Sequence, residues 1–287
     1  MKISEPCISI LGSTNLLTYK LAYALVNSGF RVEVFSHNED ILFTHDSINS
    51  YTLHNKVKLE KALKESDFVI NLLLAPTPSN YLNWQTNFNF SKYAINTASL
   101  HTIFINTLPL LGNHNFSDMA THYGNLNHSI TRNLKHYNNV YLGHIICKDD
   151  SLLTDLTTLI VKYQYNIKQK NYFSIIDQDD VIAAILTIVN NNYIGKVFEL
   201  AVNKQVTLSE IQLNLHNHYK PINYKVKSLM FIKLFNTLFR LKLNCLNKNY
   251  IHLLKNSKKI ATNCVTLEDL NINPTNLNIM INKYKFN

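Results

Sequence analysis

The stretch ISILGSTNLLTYKLAYAL, from Ile8 to Leu25, holds the residues best placed for chemistry. A short apolar run ends at Gly12, two hydroxyl residues follow, Ser13 and Thr14, and an amphipathic segment begins after Asn15 with Leu16. A tight turn from a buried strand into a helix aims the first backbone N–H groups, and the positive end of the helix dipole, at whatever lies above the turn. That arrangement binds an anion, and phosphate above all. Glycine-rich versions of it open many nucleotide-binding domains. Here Gly12 is the only glycine of the turn, so the shape is kept while the room for close approach is reduced.

Other groups of reactive residues have simpler readings. Asp177, Asp179 and Asp180 lie close enough to suggest paired carboxylates, but they stand directly before VIAAILTIV, where acidic residues suit the positive start of a helix. His114, His122 and His128 cluster in sequence, and His216 and His218 form H-x-H, yet none has a Cys or carboxylate framework, so no metal site is expected. The four cysteines, Cys7, Cys147, Cys245 and Cys264, form no C-x-x-C pair. Cys7 sits in an apolar run and reads as a small packed hydrophobe, which fits a reducing compartment.

Strands and helices must alternate to position the turn. CISILG predicts a strand from Cys7 to Gly12, NLLTYKLAYALVNSG a helix with Leu17, Leu21, Ala24 and Leu25 on one face, and RVEVFSH a strand from Arg31 to His37. KVKLEKALKESD reads as a helix leading into FVINLLLA, a continuous apolar run typical of a strand buried on both faces. NWQTNFNFSKYAINTAS and YGNLNHSITRNLKHY read as helices, TIFINTL and NVYLGHIIC as strands. Further helices are SLLTDLTTLIVKY, DDVIAAILTIVNNN and TLSEIQLNLHNHY, the last opened by a capping box of Thr207 and Glu210, and KVFELAV is a strand. This order predicts an α/β fold, a doubly wound parallel sheet with a smaller C-terminal α/β lobe. The expected division is 1–165 for the nucleotide-binding-type domain and 166–287 for the lobe, partly packed on the first.

The collinear order of ISILGSTNLLTYKLAYALVNSGFRVEVFSHNED, KVKLEKALKESDFVINLLL, FINTL with HYGNLNHSI, and IIDQDDVIAAILTIVNNNYIGKVFELA resembles the atypical short-chain dehydrogenase/reductases, with their Rossmann-like NAD(P)-binding domain. CVTLEDLNINPTNLN near the C-terminus is similar to the tail of the NADPH-binding accessory subunit of respiratory complex I and its bacterial relatives. The resemblance implies that Gly12 matches the first glycine of the family turn, with Asn15 and Thr18 in the second and third places. Asn is the non-glycine residue best able to adopt a left-handed backbone, so Asn15 is expected to preserve the turn while crowding the phosphate. Thr18 places a branched side chain where helix and sheet should close up. Gly12, Ser13, Thr14, Asn15, Leu16, His37 and Leu72 are the implied cofactor-binding residues. VFSHN has no acid at Phe35 or Ser36, and His37 lies where relatives carry a basic residue, so NADP(H) is the implied cofactor. Two readings stay open: a weakened dinucleotide site, or a Rossmann shell that has lost its ligand.

The family's proton transfer uses a Tyr and a Lys one helical turn apart. Tyr123 matches the tyrosine, but Asn127 stands at the lysine position, and the family serine falls at Leu108 or Thr107. A tyrosine near its ordinary pKa of about 10 is a poor base at neutral pH, so independent catalysis is not expected. Instead the resemblance implies a non-catalytic accessory or assembly subunit of complex I, with a short-chain-type reductase or epimerase of degraded site as the alternative.

The net charge of +9 favours anionic partners. Within KVKSLMFIKLFNTLFRLKL, Ser228 can cap a basic amphipathic helix that begins at Leu229, with Lys233 and Arg240 on its polar side and Phe235 and Phe239 among its apolar residues. It can pack on the protein's own sheet, dock a partner or lie on an anionic membrane surface. No RNA-binding aromatic motif accompanies the charge, so no nucleic acid partner is expected. The opening MKISEPCISILG leaves no room for a presequence, and no apolar run reaches the about 20 residues that span a bilayer. A cytoplasmic protein is expected, peripheral to the inner face of a bacterial inner membrane if it meets a membrane at all.

Overall fold

In the computed structural model the described residues are 5–12, 15–37, 45–77, 80, 83–110, 118–148, 151–161, 165–168, 172–219, 225–228 and 264–284. The strands are β1 (Cys7–Leu11), β2 (Arg31–Ser36), β3 (Ile48–Thr52), β4 (Phe68–Asn71), β5 (Ile103–Pro109), β6 (Tyr137–Leu142), β7 (His144–Ile146), β8 (Tyr165–Lys168), β9 (Tyr172–Phe173), β10 (Ile175–Asp177), β11 (Val197–Leu200), β12 (Val206–Thr207) and β13 (Lys225–Ser228). The helices are α1 (Leu16–Asn27), α2 (Lys56–Glu65), α3 (Trp84–Thr97), α4 (Asp118–Asn133), α5 (Ser151–Val161), α6 (Gln178–Asn190), α7 (Leu208–Tyr219) and α8 (Leu277–Tyr284).

Successive side chains of a strand face opposite ways, and both faces here are apolar. Ile8, Ile10, Val32, Val34, Phe68 and Ile70 join one core layer with Leu17, Leu21 and Leu25 of α1 and Val181, Ile185 and Ile188 of α6. Leu11, Phe35, Val69 and Phe104 join the opposite layer with Leu59 and Leu63 of α2, Ile95 of α3, and Leu126 and Ile130 of α4. The sheet between them has seven strands in the order β11-β6-β5-β4-β1-β2-β3, every neighbouring pair parallel. This is the doubly wound α/β fold that the sequence predicts.

In and beside the main sheet, these details differ from the sequence reading. The edge strand β3 was not expected, because INSYT shows no apolar alternation: Ile48 is buried while Asn49 and Ser50 are exposed. The run FVINLLLA forms a strand only as far as Asn71, where the chain turns. NVYLGHIIC splits at Gly143, beyond which β7 leaves the main sheet to pair with β10. A Cβ at Gly143 would lie 3.0 Å from the backbone of Ser174 and Ile175, so only glycine permits that approach.

Elements on both sides of residue 165 build the main sheet and its core. From the C-terminal side, α6 and β11 complete the main sheet and its core. The short pairs β7–β10, β9–β12 and β8–β13 lie outside that sheet. Residues 264–284 return to it: Val265 bridges Phe198 of β11, and Leu267 and Leu270 are buried in the α1/α6 layer. The capping box opening α7 forms as predicted, with Glu210 N–H donating to Thr207 Oγ1 at 3.1 Å and Thr207 N–H donating to Glu210 Oε2 at 2.7 Å. Among the described residues no helix is long and apolar enough to cross a membrane.

Candidate functional site

The winding of the sheet reverses between β1 and β4, and in open α/β sheets ligands bind in the crevice outside the carboxyl ends of the strands at that point. Gly12, His37 and Leu72 follow β1, β2 and β4 on this edge. Gly12 N–H donates to Phe35 O at 2.9 Å, and Leu72 N–H donates to Leu11 O at 2.7 Å. Thus the three strand ends are stitched together, and the Leu72 N–H is spent in the stitching.

Asn15 preserves the turn by a different device from the one expected. Its backbone is extended, φ −131° and ψ 166°, not left-handed. It is the N-cap of α1: Oδ1 accepts from Thr18 N–H at 3.0 Å and from Thr18 Oγ1 at 3.1 Å. Asn is favoured here for its short acceptor side chain. Thr18 is fully buried, and it does not hold helix and sheet apart, because Gly12 makes room for it. A Cβ at Gly12 would stand 2.5 Å from Thr18 Oγ1 and 3.0 Å from its Cγ2. Glycine therefore sits on the strand side of a contact whose helix side is branched. With Thr18 N–H capped, the N–H groups of Leu16 and Leu17 are the first-turn donors left for an anion. Ser13 and Thr14 lie outside the described residues.

Below the crevice lies a buried polar network that the sequence reading missed. Asn71 Nδ2 donates to Ser91 Oγ at 3.0 Å and to Asn106 Oδ1 at 2.9 Å, and Asn71 Oδ1 accepts from Leu73 N–H at 3.3 Å. Asn71 and Asn106 are register partners in β4 and β5. The signal was present: FVIN and IFIN each place an amide after three apolar residues. His37, half-buried, bonds through Nε2 to Asn87 Oδ1 at 2.6 Å, and its ring meets Phe90 edge-on.

The position of the family lysine is committed elsewhere. Asn127 Nδ2 donates to Tyr141 Oη on β6 at 2.9 Å, and Asn127 Oδ1 is buried with no partner among the described residues. Burial pushes the Tyr141 phenol above its ordinary pKa, with the Asn127 bond offsetting part of the rise. Thr107 Oγ1 donates to the Asn71 carbonyl at 2.6 Å, and Leu108 is buried, so neither offers a hydroxyl to the crevice. Tyr123 is in α4 one turn before Asn127; its side chain lies outside the described residues, as do Lys233, Phe235, Phe239 and Arg240. His122 packs against Trp84 and Phe88. Among the described residues no group of three His, Cys, Asp or Glu side chains is placed to hold a metal ion. Asp177 caps α6, its Oδ1 accepting from Asp179 N–H at 2.8 Å.

Solved structures share this architecture. A nucleoside-diphosphate-sugar epimerase from Staphylococcus aureus is 16% identical, with a TM-score of 0.71 over 96% of this chain and 99% of that one. The Citrobacter triphenylmethane reductase complexed with NADP(H) is 13% identical, with a TM-score of 0.72 over 97% and 99%. A dTDP-glucose 4,6-dehydratase from Bacillus anthracis, in complex with NAD, is 10% identical, with a TM-score of 0.59 over 77% and 84%. Neither a protein-family model nor a curated protein matches the chain. At such identities the likeness establishes the fold alone, a Rossmann-like doubly wound α/β sheet.

Proposed function

We propose that this chain is a nicotinamide-dinucleotide-binding protein, with NADP(H) its ligand, that does not run the tyrosine–lysine proton transfer of short-chain reductases. One observation supports the reading: the start of α1 leaves the N–H groups of Leu16 and Leu17 beside Gly12 for an anion, while Asn127, at the implied lysine position, bonds to Tyr141. Gly12, the capped start of α1 and the N–H groups of Leu16 and Leu17 fit one phosphate of a dinucleotide. With Asn127 at that position and hydrogen-bonded to Tyr141 of β6, no cation there lowers the pKa of Tyr123. Bound dinucleotide would supply a hydride donor or acceptor; the chain's own contribution is to hold it and exclude water.

The test is titration of the full chain with NADPH, followed by ligand fluorescence and thermal shift. Saturable binding raises the melting temperature by mass action. Absence of saturation at millimolar NADPH sinks the reading. If NADPH is consumed with any substrate, Tyr123→Phe should leave the rate within about threefold; a loss of the 10²- to 10⁴-fold typical of a general acid–base would restore Tyr123 as the catalyst.

A second reading, accessory or assembly subunit of respiratory complex I, is supported by the likeness of CVTLEDLNINPTNLN to that subunit's tail. In this chain the same tail is folded onto its own sheet, with Leu267 and Leu270 buried, so a partner would meet an ordered surface. Affinity purification from native membranes tests it, and an eluate free of complex I subunits counts against it. Docking of the basic segment around Lys233 and Arg240 on an anionic membrane belongs to the same proposal.

A further inference from the structure

We infer that Asn80 is a positioning residue that sets the shape of the turn after β4, and so the wall of the crevice; the inference rests on the dinucleotide reading above. The run FVINLLLA could continue as a strand, yet the chain turns at Asn71. Asn80 holds the turn. It is 3% exposed, and Nδ2 donates to two turn carbonyls, Leu72 O at 3.0 Å and Ala75 O at 2.9 Å. The turn closes on itself through Ala75 N–H to Leu72 O at 3.1 Å and is anchored to β1 by Leu72 N–H to Leu11 O at 2.7 Å.

Asn80 is also the last side chain of a relay. Its backbone oxygen accepts from Asn87 Nδ2 at 3.2 Å, and Asn87 Oδ1 pairs with His37 Nε2 at 2.6 Å. The bond to a carbonyl fixes which end of the Asn87 amide is nitrogen. Oδ1 therefore faces His37, and His37 must carry its proton on Nε2. His37 donates to Asn87, Asn87 donates to Asn80, and Asn80 donates to the β4 turn. The Asn87 amide accepts through Oδ1 and donates through Nδ2, so its two bonds polarise and strengthen one another; at Asn80 the link is mechanical, from the held backbone carbonyl to the side-chain amide. The relay joins the end of β2 to the end of β4 through α3, across the reversal where a dinucleotide would lie. Asn80 Oδ1 is buried with no partner among the described residues, so the side chain is held there by donation, and a carboxylate in its place would face two carbonyl oxygens.

The experiment compares the full-length wild type, Asn80→Ala and, as a surface amide control, Asn96→Ala. It measures NADPH affinity well below every melting temperature and hydrogen exchange in the ligand-free proteins. In Asn80→Ala the amides of Leu73, Ala75 and Thr77 should exchange at least tenfold faster while β1 and β2 stay protected, and the Kd for NADPH should rise at least tenfold. Asn96→Ala should change neither. Exchange accelerated equally across β1 and β2, or a Kd within twofold of wild type, would overturn the positioning role. A wild type that does not saturate with NADPH overturns the dinucleotide reading instead, and the exchange pattern still decides whether Asn80 sets the turn. Should Asn80→Ala not fold, Asn87→Ala removes the preceding donor and should give the same local pattern; its absence there counts against the relay.

Discussion

At the scale of single residues, the contact between Gly12 and Thr18 shows how the end of β1 and the start of α1 pack closely with a branched residue between them. The bulk missing from the strand is placed on the helix, so the pair and not either residue is matched. Gly12→Ala should destabilise by about 1–3 kcal/mol, the usual cost of overpacking, because its Cβ meets Thr18 Oγ1 and Cγ2 at once. Thr18→Ala alone should cost less, and adding it to Gly12→Ala should recover a large part of the loss. Chemical denaturation of the two single variants and the double variant measures the coupling. Additive effects would show that Gly12 is needed for its backbone and not for this contact. The sequence showed that the turn lacked glycines and contained a branched residue. It did not show that these two departures compensate, because the compensation is a distance across the turn. Asn127 is a similar case: the missing lysine was legible, but its bond to Tyr141, on a different element, was not.

Element by element, the sequence carried most of the fold, because period and capping are local. Sheet strands apolar on both faces, the helical stripe of α1 and the Thr207–Glu210 box each announce themselves within a few residues. What escaped has no local period: β3 is an edge strand with polar exposed positions, and β4 ends early because a distant amide, Asn80, takes its turn carbonyls. Asn15 belongs to this scale, since the start of α1 depends on it. Asn15→Asp keeps an acceptor for Thr18 N–H and adds a charge favoured by the helix dipole, so stability should change by less than about 0.5 kcal/mol or rise. The same charge would sit at the end of the helix that the proposed function assigns to a phosphate, and NADPH affinity should fall about tenfold, or 1.4 kcal/mol. Thermal melts and NADPH titration of one protein sample separate the two effects. Parallel losses in both would mean that Asp disrupts the cap itself.

At the scale of the whole molecule, α8 is tied to the start of α6 through a buried charge. Asp177 is fully buried, and its Oδ1 accepts from Lys283 Nζ at 2.8 Å and Tyr284 Oη at 3.2 Å. Lys283 Nζ also pairs with Asp179 Oδ2 at 2.7 Å, and Asp179 Oδ1 with Lys20 of α1 at 3.0 Å. Thr275 completes the clasp, donating to both carboxylate oxygens of Asp180 at 2.8 and 3.0 Å. A chain segment about a hundred residues downstream of α6 thus ties α6, α8 and α1 together. Partial burial alone would raise the Asp179 carboxyl, but Lys283 and Lys20 outweigh it and hold it below the ordinary range. Burial alone would lower the Lys283 ammonium, but the carboxylates of Asp177 and Asp179 hold it above its ordinary value. The signs follow from linkage. The lowered Asp179 contributes stability that is present above about pH 4 and lost as the pH falls below it; the raised Lys283 contributes stability present below about pH 10.4 and lost as the pH rises further. Lys283→Met should cost about 3 kcal/mol, the low end for breaking a buried pair, since the Lys283 side chain is 34% exposed while Asp177 is fully enclosed. Lys20→Met breaks only a solvent-exposed pair and should cost about 0.5 kcal/mol. The stability gap between wild type and Lys283→Met should be flat from about pH 5 to 9 and narrow on both sides of that window. Urea melts across pH measure it. A gap no larger than that of Lys20→Met would show that the buried carboxylate is held by Tyr284 and the Asp179 N–H without help from the ammonium.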